Sequence, residues 1–311
     1  MNLAGKKALV TGGAGFIPSH LVDLLVDRGA EVVVLDDLST GRPDNLARVR
    51  DHVTIVRGSV QDADLVDRTV AGCHLVFHMA ANADVPRSVK EPDLDFRTNA
   101  LGSHNVYLAC RNHEVERVLL ASSAAVYGEP VYTPMDEDHP LRPISPYGAS
   151  KLSAESLGLA WHHTYGLPFT SVRIFNTYGP RQPRYVIYDL FRKIQADPRR
   201  LEVLGTGDQI RDYCYVTDTA AAFLDLALDP GLAGQAFNIA GGSPVSIRQL
   251  VGMILETLGL QDSTEVTYTG KSWPGDITRL EASIDRIRAT GFAPTIGLAE
   301  GLHRFADWIG S

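Results

Sequence analysis

Short apolar runs alternate with segments of helical spacing through the first half of the chain. The segment from Phe16 to Arg28 places its apolar residues at helical intervals, and other helical segments separate the later runs. Alternating strands and helices are typical of a parallel sheet covered on both faces by helices. The pattern therefore predicts an α/β fold with a doubly wound parallel sheet. The predicted strands are 8–10, 32–35, 53–56, 75–78, 118–121, 170–175 and 235–239.

A glycine-rich turn joins the first predicted strand to the first predicted helix. It reads Thr11-Gly-Gly-Ala-Gly-Phe-Ile17, and Pro18 stands where a third glycine is expected. Glycine lets the backbone approach a pyrophosphate closely, and the free N–H groups of a helix N-terminus attract anions. The second strand is followed by Asp36, about 20 residues on, as a ligand of the ribose 2′-hydroxyl requires. Strand, turn, helix, strand and acid in this order predict a dinucleotide site.

The chain is predicted to have two domains. A Rossmann-type domain is expected over 1–175 plus about 211–240. A smaller α/β substrate-binding lobe is expected over 176–210 and 241–311, because from Gly179 the sequence is rich in proline and arginine and loses its regular alternation. Glycine or polar residues follow or close several strands of the first part, and ligands gather at the carboxyl ends of such strands. We therefore expect one crevice to collect Gly12, Asp36, His78, Ser123 and Asn176.

Composition narrows the classes of partner. The 311 residues are 44% hydrophobic and 21% charged, as in an ordinary globular protein, and the net charge of −8 argues against nucleic acid. No apolar run is long enough to cross a membrane, and glycines interrupt the first apolar stretch, so we expect neither a membrane span nor a signal peptide. Cys73, Cys110 and Cys214 lack metal-ligand spacing and are expected as buried free thiols. We predict a cytoplasmic protein without a metal.

Tyr147 and Lys151 carry the most specific chemistry. They lie four residues apart in Ser-Pro-Tyr-Gly-Ala-Ser-Lys, and so share one face of a helix. A neighbouring ammonium group favours the phenolate and lowers the phenol pKa from about 10 toward neutral pH. Ser123, which closes an apolar run, could hold the substrate oxygen whose proton the phenolate takes. The three residues predict an acid/base site that works beside the dinucleotide.

Further motifs follow in order along the chain. Together they resemble the extended short-chain dehydrogenase/reductases, specifically the NAD-dependent nucleotide-sugar epimerase/dehydratase group, with a pattern most similar to the UDP-glucose 4-epimerases. The resemblance covers nearly the whole chain. The motifs that carry it, beside those above, are His78-Met-Ala-Ala81, Asn99-Ala-Leu-Gly102, Ala121-Ser-Ser-Ala-Ala-Val-Tyr-Gly128, Arg173-Ile-Phe-Asn-Thr-Tyr-Gly-Pro180 and Gly205-Thr-Gly-Asp-Gln-Ile-Arg-Asp212.

The resemblance implies NAD as cofactor, a UDP-sugar as substrate, and a homodimer formed by helices that begin near Asn99 and Tyr147. It assigns catalysis to Ser123, Tyr147 and Lys151. The cofactor contacts that it implies are Gly12, Gly15, Phe16, Ile17, Asp36, Asp37, Ser59, Val60, Ala80, Ala81, Asn99, Tyr147 and Lys151. The substrate contacts that it implies are Ala83, Ser123, Tyr147, Asn176, Arg211 and Asp276.

The resemblance also implies a reaction. Tyr147 takes the sugar hydroxyl proton while the sugar carbon gives hydride to NAD, and the resulting 4-keto sugar turns over before the hydride returns. The 4,6-dehydratases of this group carry an Asp-Glu pair after the hydroxyl residue, and the decarboxylases keep a glutamate there. Here the two positions are Ala124 and Ala125, which can move no proton. We therefore predict an NAD-dependent 4-epimerase of a UDP-sugar.

The identity of the sugar stays open at this stage. Ala83 and Leu280 stand where hexose-restricted epimerases have larger residues, so an N-acetyl group could fit beside UDP-glucose, although Leu280 could equally be a packing residue. Arg87 could meet a uronate carboxylate, as in a UDP-glucuronate 4-epimerase, but a positioning or surface role is favoured. Another nucleotide-sugar epimerase is a further alternative among enzymes, and a catalytically idle NAD-binding module is the alternative from another class.

Three departures from the family pattern concern binding. Pro18 is expected to weaken or displace the cofactor, and Ser59 replaces an aspartate that commonly meets the adenine amine. Trp273 lies where many relatives have a diphosphate-binding arginine, so Arg211 would carry the diphosphate alone or with Lys271. These departures affect the expected affinity more than the expected chemistry.

Overall fold

The computed structural model describes residues 3–270 and 277–310. Its strands are β1 (Lys7–Thr11), β2 (Glu31–Asp36), β3 (Val53–Arg57), β4 (Leu75–His78), β5 (Arg117–Ser123), β6 (Phe169–Ile174), β7 (Asn176–Tyr178), β8 (Arg200–Val203), β9 (Ile210–Arg211), β10 (Tyr213–Tyr215), β11 (Ala236–Ile239), β12 (Val245–Ser246), β13 (Glu265–Tyr268) and β14 (Arg279–Leu280).

The helices cover both halves of the chain. They are α1 (Phe16–Asp27), α2 (Ala63–Val70), α3 (Val85–Lys90), α4 (Pro92–Phe96), α5 (Gly102–Asn112), α6 (Pro146–Tyr165), α7 (Val186–Ala196), α8 (Val216–Leu228), α9 (Ile247–Thr257), α10 (Asp285–Arg288) and α11 (Leu298–Gly310). A π-helical segment, Arg97–Leu101, joins α4 to α5, and 3₁₀ turns occupy Pro43–His52, Ala124–Val126 and Pro230–Leu232.

A seven-stranded sheet in the order β11-β6-β5-β4-β1-β2-β3 organises the first half of the chain. Neighbouring strands from β6 to β3 pair in parallel. Each of the seven apolar runs in the sequence is a strand of this sheet, so the predicted doubly wound α/β fold is confirmed. The strand order reverses direction around β1, which places the ends of β1, β2, β4 and β5 side by side.

Continuous burial explains why these strands read as unbroken apolar runs. Every residue of β4 is buried, as is every residue of β2 after Glu31. On one face, side chains of the sheet such as Leu9 and Phe169 pack with α2, α5 and α6 in a single apolar cluster that includes the fully buried Tyr107. The edge strand β3 is largely exposed, because it has a neighbour on one side only.

The described residues fall into two compact units. Unit 1 comprises Met1–Glu129, His139–Ile174 and Ala220–Asn238, and holds the seven-stranded sheet except the last residue of β11. Unit 2 comprises Pro130–Asp138, Phe175–Thr219 and Ile239–Ser311. It contains three small sheets, in the orders β10-β7, β12-β9-β14 and β13-β8, with α7, α9 and α11. The functions of the two units stay predictions.

Two further expectations concern the described residues as a whole. Across 3–270 and 277–310 no helix has the length and apolar character that a membrane span needs. All three cysteines are buried free thiols, as the sequence predicts. After Gly179, where the sequence loses its regular alternation, residues 186–196 form the helix α7, whose amphipathic pattern buries Ile187, Leu190 and Phe191.

Candidate active site

The glycine turn between β1 and α1 is held by close backbone contacts. Gly12 has a φ of 68°, a left-handed conformation that favours glycine. A Cβ at this position would lie 2.9 Å from the Cα of Ala80, so the backbone after β4 approaches the turn directly. The N–H of Gly12 donates to the carbonyl of Leu35 at 2.7 Å. The turn therefore rests on the ends of both strands adjacent to β1.

The N-terminus of α1 offers free donors at this turn. Gly15 is the N-cap in extended conformation, and no side chain caps the helix. The N–H groups of Phe16 and Ile17 have no hydrogen-bond partner in the part of the chain that the structure describes. Pro18 is buried and is the third residue of the helix. Because the first N–H groups of a helix have no partner within it, the missing N–H of Pro18 breaks no helical hydrogen bond. Two free N–H groups and the positive end of a helix dipole favour an anion here.

Asp36 closes β2 and ties the turn to the next loop. Its carboxylate accepts the N–H of Ala14 at 2.9 Å and that of Leu38 at 2.8 Å. Burial raises the pKa of Asp36 above its ordinary value, and these two N–H groups oppose the rise. Gly41 is needed beside it, since a Cβ there would lie 2.9 Å from both carboxylate oxygens. Asp37 is exposed and accepts the N–H of Ser39 at 2.9 Å.

Ser59 and Val60 lie in the loop after β3. The hydroxyl oxygen of Ser59 accepts the N–H of Gln61 at 3.2 Å. Val60 is buried, and its carbonyl accepts the side-chain amide of Asn105 at 3.0 Å. The loop is thereby fixed against α5, because a Cβ on Gly102 would lie 2.6 Å from a methyl group of Val60.

His78 is a neutral, structural histidine at the end of β4. Thr11 accepts the N–H groups of Met79 and Ala80 at 3.0 Å each, so its hydroxyl proton is free to donate to Nδ1 of His78, 2.8 Å away. The Nε2 proton then points to Ser103 Oγ at 2.9 Å. Burial, aided by the charge of Lys151, lowers the pKa of His78 to about 3. His78 thus joins β1 to β4 without carrying charge.

The start of α6 packs on the turn that follows Ser123. Ser123 Oγ accepts the N–H of Ala125 at 3.2 Å, which caps the 3₁₀ turn. A Cβ on Gly148 would lie 2.5 Å from the carbonyl oxygen of Ala125, so the two segments are in contact. Tyr147, the second residue of α6, donates its N–H to Ser88 Oγ at 3.1 Å. Tyr147 therefore lies in the first turn of α6, beside the turn that Ser123 caps.

Lys151 is buried one helical turn after Tyr147. Its ammonium nitrogen donates to the carbonyl of Ala121 at 2.9 Å, two residues before Ser123. Lys151 forms no ion pair with a described residue, so its other N–H groups are available to a ligand. Burial lowers the pKa of Lys151 to about 8, against the opposing charge of Asp95. Lys151 therefore titrates closer to neutral pH than an exposed lysine does.

Asn99 lies inside a helix rather than at a helix start, which corrects the expectation from the sequence. The π-helical segment continues α4 into α5 without a break, so the Asn-x-x-Gly motif does not begin the helix. Asn99 is buried and accepts the N–H of Asn82 at 2.8 Å through Oδ1. Its amide group donates to Ser150 Oγ at 3.0 Å. The π-helical segment thus places the amide of Asn99 against α6. Such π-helical segments are frequent at functional sites.

The remaining predicted cofactor and substrate contacts lie in different parts of the chain. Ala81 and Ala83 belong to unit 1, between β4 and α3, and Ala83 is exposed. Asn176 opens β7 in unit 2, and Arg211 lies in β9 of the same unit, where it is paired in register with Leu280. Asp276 lies outside the described residues, as do Lys271 and Trp273.

Several side chains that organise the site were not predicted from the sequence. Asp95, four residues before Asn99 on the same helical stretch, was detectable by its spacing. Ser88, which meets the N–H of Tyr147, had no signal in the sequence. Arg87, one position earlier, pairs instead with Glu91 at 3.2 Å on the surface, which supports its surface role.

Comparison with known proteins places epimerases and dehydratases that act on nucleotide sugars among the proteins similar to this chain. The model of the NAD dependent epimerase/dehydratase family matches residues 8–240. A dTDP-glucose 4,6-dehydratase of Streptomyces griseus is 38% identical, with 96% of this chain and 93% of that relative covered. The solved UDP-N-acetylglucosamine 4-epimerase of Methanobrevibacter ruminantium, in complex with UDP-N-acetylmuramic acid, has a TM-score of 0.92 at 34% identity, over 98% of each chain. The UDP-glucose 4-epimerase of Thermus thermophilus, in complex with NAD, has a TM-score of 0.86 at 34% identity, over 98% of this chain and 99% of that one.

Proposed function

We propose, on the premise that this chain belongs to the NAD dependent epimerase/dehydratase family, that it is a 4-epimerase of a UDP-sugar. The observation that supports this proposal most strongly is that Ala124 and Ala125 follow Ser123, while Tyr147 and Lys151 are both present. A dehydratase must move a second proton during elimination, and neither alanine can donate or accept one. The 38% identity to a dehydratase reflects the shared scaffold, whereas this turn after β5 decides the chemistry.

NAD is the cofactor of this family, and the residues present fit it. When bound, NAD supplies the hydride acceptor and donor that epimerisation requires. We assign the pyrophosphate to the free N–H groups of Phe16 and Ile17 and to the close turn at Gly12 and Gly15. We assign the adenosine ribose to Asp36 with Asp37, and the adenine to Ser59 and Val60. Ala80, Ala81 and Asn99 complete the assignment on the side of β4.

The chain's own residues carry the proton transfers. Tyr147 as phenolate takes the proton of the sugar 4-hydroxyl, and Ser123 holds that oxygen by a hydrogen bond. Lys151 stabilises the phenolate through its positive charge and offers its free N–H groups to the nicotinamide ribose. After the keto sugar has turned over, Tyr147 returns the proton to the same oxygen. Asn176 and Arg211 of unit 2 are proposed to hold the substrate phosphates, and Asp276 stays a predicted substrate contact.

We propose that the substrate site admits both UDP-glucose and its N-acetylamino analogue. Leu280 supports this, because its register partner in β9 is Arg211, which we assign to the diphosphate. Ala83 is a small residue at a predicted substrate contact. The alternative UDP-glucuronate 4-epimerase loses support from Arg87, whose guanidinium pairs with Glu91.

A panel of nucleotide sugars tests the proposed function. Purified protein with NAD is incubated with UDP-glucose, UDP-N-acetylglucosamine, UDP-glucuronate and dTDP-glucose, and the products are separated. We expect galacto-configured products from the first two. Turnover of UDP-glucuronate alone would replace the proposed sugar, and release of water from dTDP-glucose would indicate a dehydratase. No turnover of any sugar, with NAD bound, would indicate the idle binding module.

Pro18→Gly is expected to tighten NAD binding by a few-fold while leaving the reaction unchanged. The ring of Pro18 lies beside Gly15, 3.2 Å from the position of a Cβ there, next to the donors assigned to the pyrophosphate. Removing the ring widens the approach to those donors. Titration of NAD into cofactor-free protein measures the effect, with Pro43→Gly as a control at another helical start. Equal affinities would show that the ring does not restrict the cofactor.

A homodimer through α5 and α6 remains a proposal, now with a surface to support it. Phe96, Leu101 and Leu108 are exposed along the stretch from α4 to α5, and Tyr165 is exposed on α6. Exposed apolar side chains on these neighbouring helices favour a protein interface. We expect sedimentation to give twice the chain mass, and Leu101→Asp to give the chain mass. Val131→Asp, at an exposed site in unit 2, is the control. A monomeric wild-type protein would contradict the proposal. The cytoplasmic location stays a prediction.

A further inference from the structure

A buried carboxylate lies beside the acid/base residues without a cation in contact. Asp95 is 1% exposed, and its oxygens accept hydrogen bonds only from neutral groups among the described residues. The donors are the amides of Asn82 and Asn99, at 3.1 Å each, and the hydroxyl of Ser150, at 2.6 Å. A carboxylate that is buried with neutral donors alone is costly, which calls for a reason at this place.

The three donors come from three different elements. Asn82 follows β4, Asn99 lies in the π-helical segment, and Ser150 directly precedes Lys151 in α6. Asn82 and Asn99 also bind each other, through the N–H of Asn82 and Oδ1 of Asn99 at 2.8 Å. Asp95 therefore ties the segment after β4 and the π turn to the turn of α6 that bears Lys151.

The hydrogen positions in this cluster follow from its distances. Ser150 has one hydroxyl proton, and the oxygen of Asp95 at 2.6 Å is closer than the carbonyl of Tyr147 at 3.0 Å. That proton therefore goes to Asp95, and the free lone pair of Ser150 accepts from the amide of Asn99 at 3.0 Å. Every polar group of Ser150 is engaged, so its rotamer is fixed. The backbone at Lys151 is fixed with it.

Asp95 also supplies a negative charge that acts on Lys151. Among the described residues, His78 on β4 is neutral and is affected by the charge of Lys151, while Tyr147 and Glu155 lie one helical turn before and after Lys151 on α6. Glu155 is itself paired with Arg173. Burial disfavours the ammonium form of Lys151, and the charge of Asp95 acts against that burial.

We infer that Asp95 is a positioning residue of the acid/base site, which orients the Lys151-bearing turn through Ser150 and supplies the buried negative charge that keeps Lys151 an ammonium ion. This inference rests on the proposed roles of Lys151 and Tyr147. It extends the site by one charged group that touches neither substrate nor cofactor.

The titration of Lys151 tests the charge without any substrate. The chain has six lysines, so the ¹³Cε signals of labelled lysine can be separated, and Lys151→Met assigns the signal of interest. Asp95→Asn is expected to move the Lys151 titration down by roughly one unit, as loss of a nearby opposite charge does. Asp93→Asn, an exposed position on the same helix that pairs with Arg97, is the matched control and should leave it in place. An unchanged titration in Asp95→Asn overturns the inference.

Ser150→Ala separates positioning from charge. It removes the hydrogen bond but keeps the carboxylate, so we expect a several-fold lower kcat with an unchanged Lys151 titration. In Asp95→Asn the alkaline limb of the kcat profile should move to lower pH by the same amount as the titration. Wild-type kcat in Ser150→Ala, or a Lys151 shift there equal to that of Asp95→Asn, overturns the inference.

Asp95→Glu serves if Asp95→Asn does not fold. It keeps the charge but displaces it, so the inference expects a wild-type titration of Lys151 with reduced kcat, and a downward shift contradicts it. Because the lysine titrations need no turnover, they remain decisive even if the nucleotide-sugar panel gives no product. Failure of the inference and failure of the proposed function are thereby distinguished.

Discussion

Tyr147→Phe is expected to lower kcat by roughly 10²–10⁴-fold, the usual contribution of a positioned general acid/base. The substitution removes one oxygen and keeps the ring, so substrate affinity and bound NAD should change little. The reason is specific to the site. The phenol lies in the first turn of α6, one turn before the buried ammonium of Lys151, and no neighbouring alanine can take over its proton transfer. Initial rates on the best sugar of the panel measure the effect.

Tyr165→Phe is the matched control for this substitution. Tyr165 is the last residue of the same helix, half exposed and stacked edge-on against Trp161, so loss of its hydroxyl should leave kcat within about twofold of wild type. Activity of Tyr147→Phe within tenfold of wild type would show that another group moves the proton.

Glu155→Gln is expected to lower the free energy of unfolding by about 3–5 kcal/mol, the cost of breaking a buried ion pair. Glu155 is buried in α6 and accepts hydrogen bonds from Arg173 and from Ser171, the latter at 2.8 Å. Burial by itself would lower the pKa of Arg173. The hydrogen bonds and the charge of Glu155 outweigh burial and raise the pKa of Arg173 above the ordinary arginine value. Glutamine would leave the guanidinium buried without its counter-charge. Urea unfolding measures the difference.

The same substitution at the surface provides the comparison. Glu300 pairs with Arg304 one turn away on α11, where both side chains are about half exposed. Glu300→Gln should therefore change the free energy of unfolding by less than about 1 kcal/mol. A loss below that value in Glu155→Gln would mean that the buried pair contributes no net stability beyond its neutral analogue.

The ion pair also connects two segments of unit 1 that carry proposed catalytic residues. Arg173 donates to the hydroxyl of Tyr127 at 2.9 Å, and Tyr127 donates to Asn238 at 2.6 Å. Tyr127 follows the turn that Ser123 caps, and Glu155 lies one helical turn after Lys151. The pair thus joins the turn after β5 to the helix of the acid/base residues through the buried end of β6.

The sheet could be predicted because its physics is local. The strands β2, β4 and β5 are buried on both faces, so each is written as an unbroken apolar run that needs no knowledge of its neighbours. The same holds for the N-cap of α1 at Gly15 and for the acid at Asp36, which stand at fixed distances along the chain. Tyr147 and Lys151 were found by their spacing on one helix.

The supporting contacts could not be predicted because they depend on distant parts of the chain. Ser150 meets Asp95 from another helix, and the N–H of Tyr147 meets Ser88 across 59 positions. The π turn at Asn99 spans only five residues, too few to show a hydrophobic period of its own. Such groups become visible only when the fold has brought their elements together.

Ala124 and Ala125 give the reaction its proposed outcome, because a site with one acid/base residue can exchange only the hydroxyl proton. The most direct test is turnover in deuterium oxide. We expect a 4-epimer whose carbon-bound hydrogens contain no solvent deuterium, since the hydrogen at C4 leaves and returns as hydride. Deuterium at C5 or C6 of the product, or loss of water from the sugar, would contradict it.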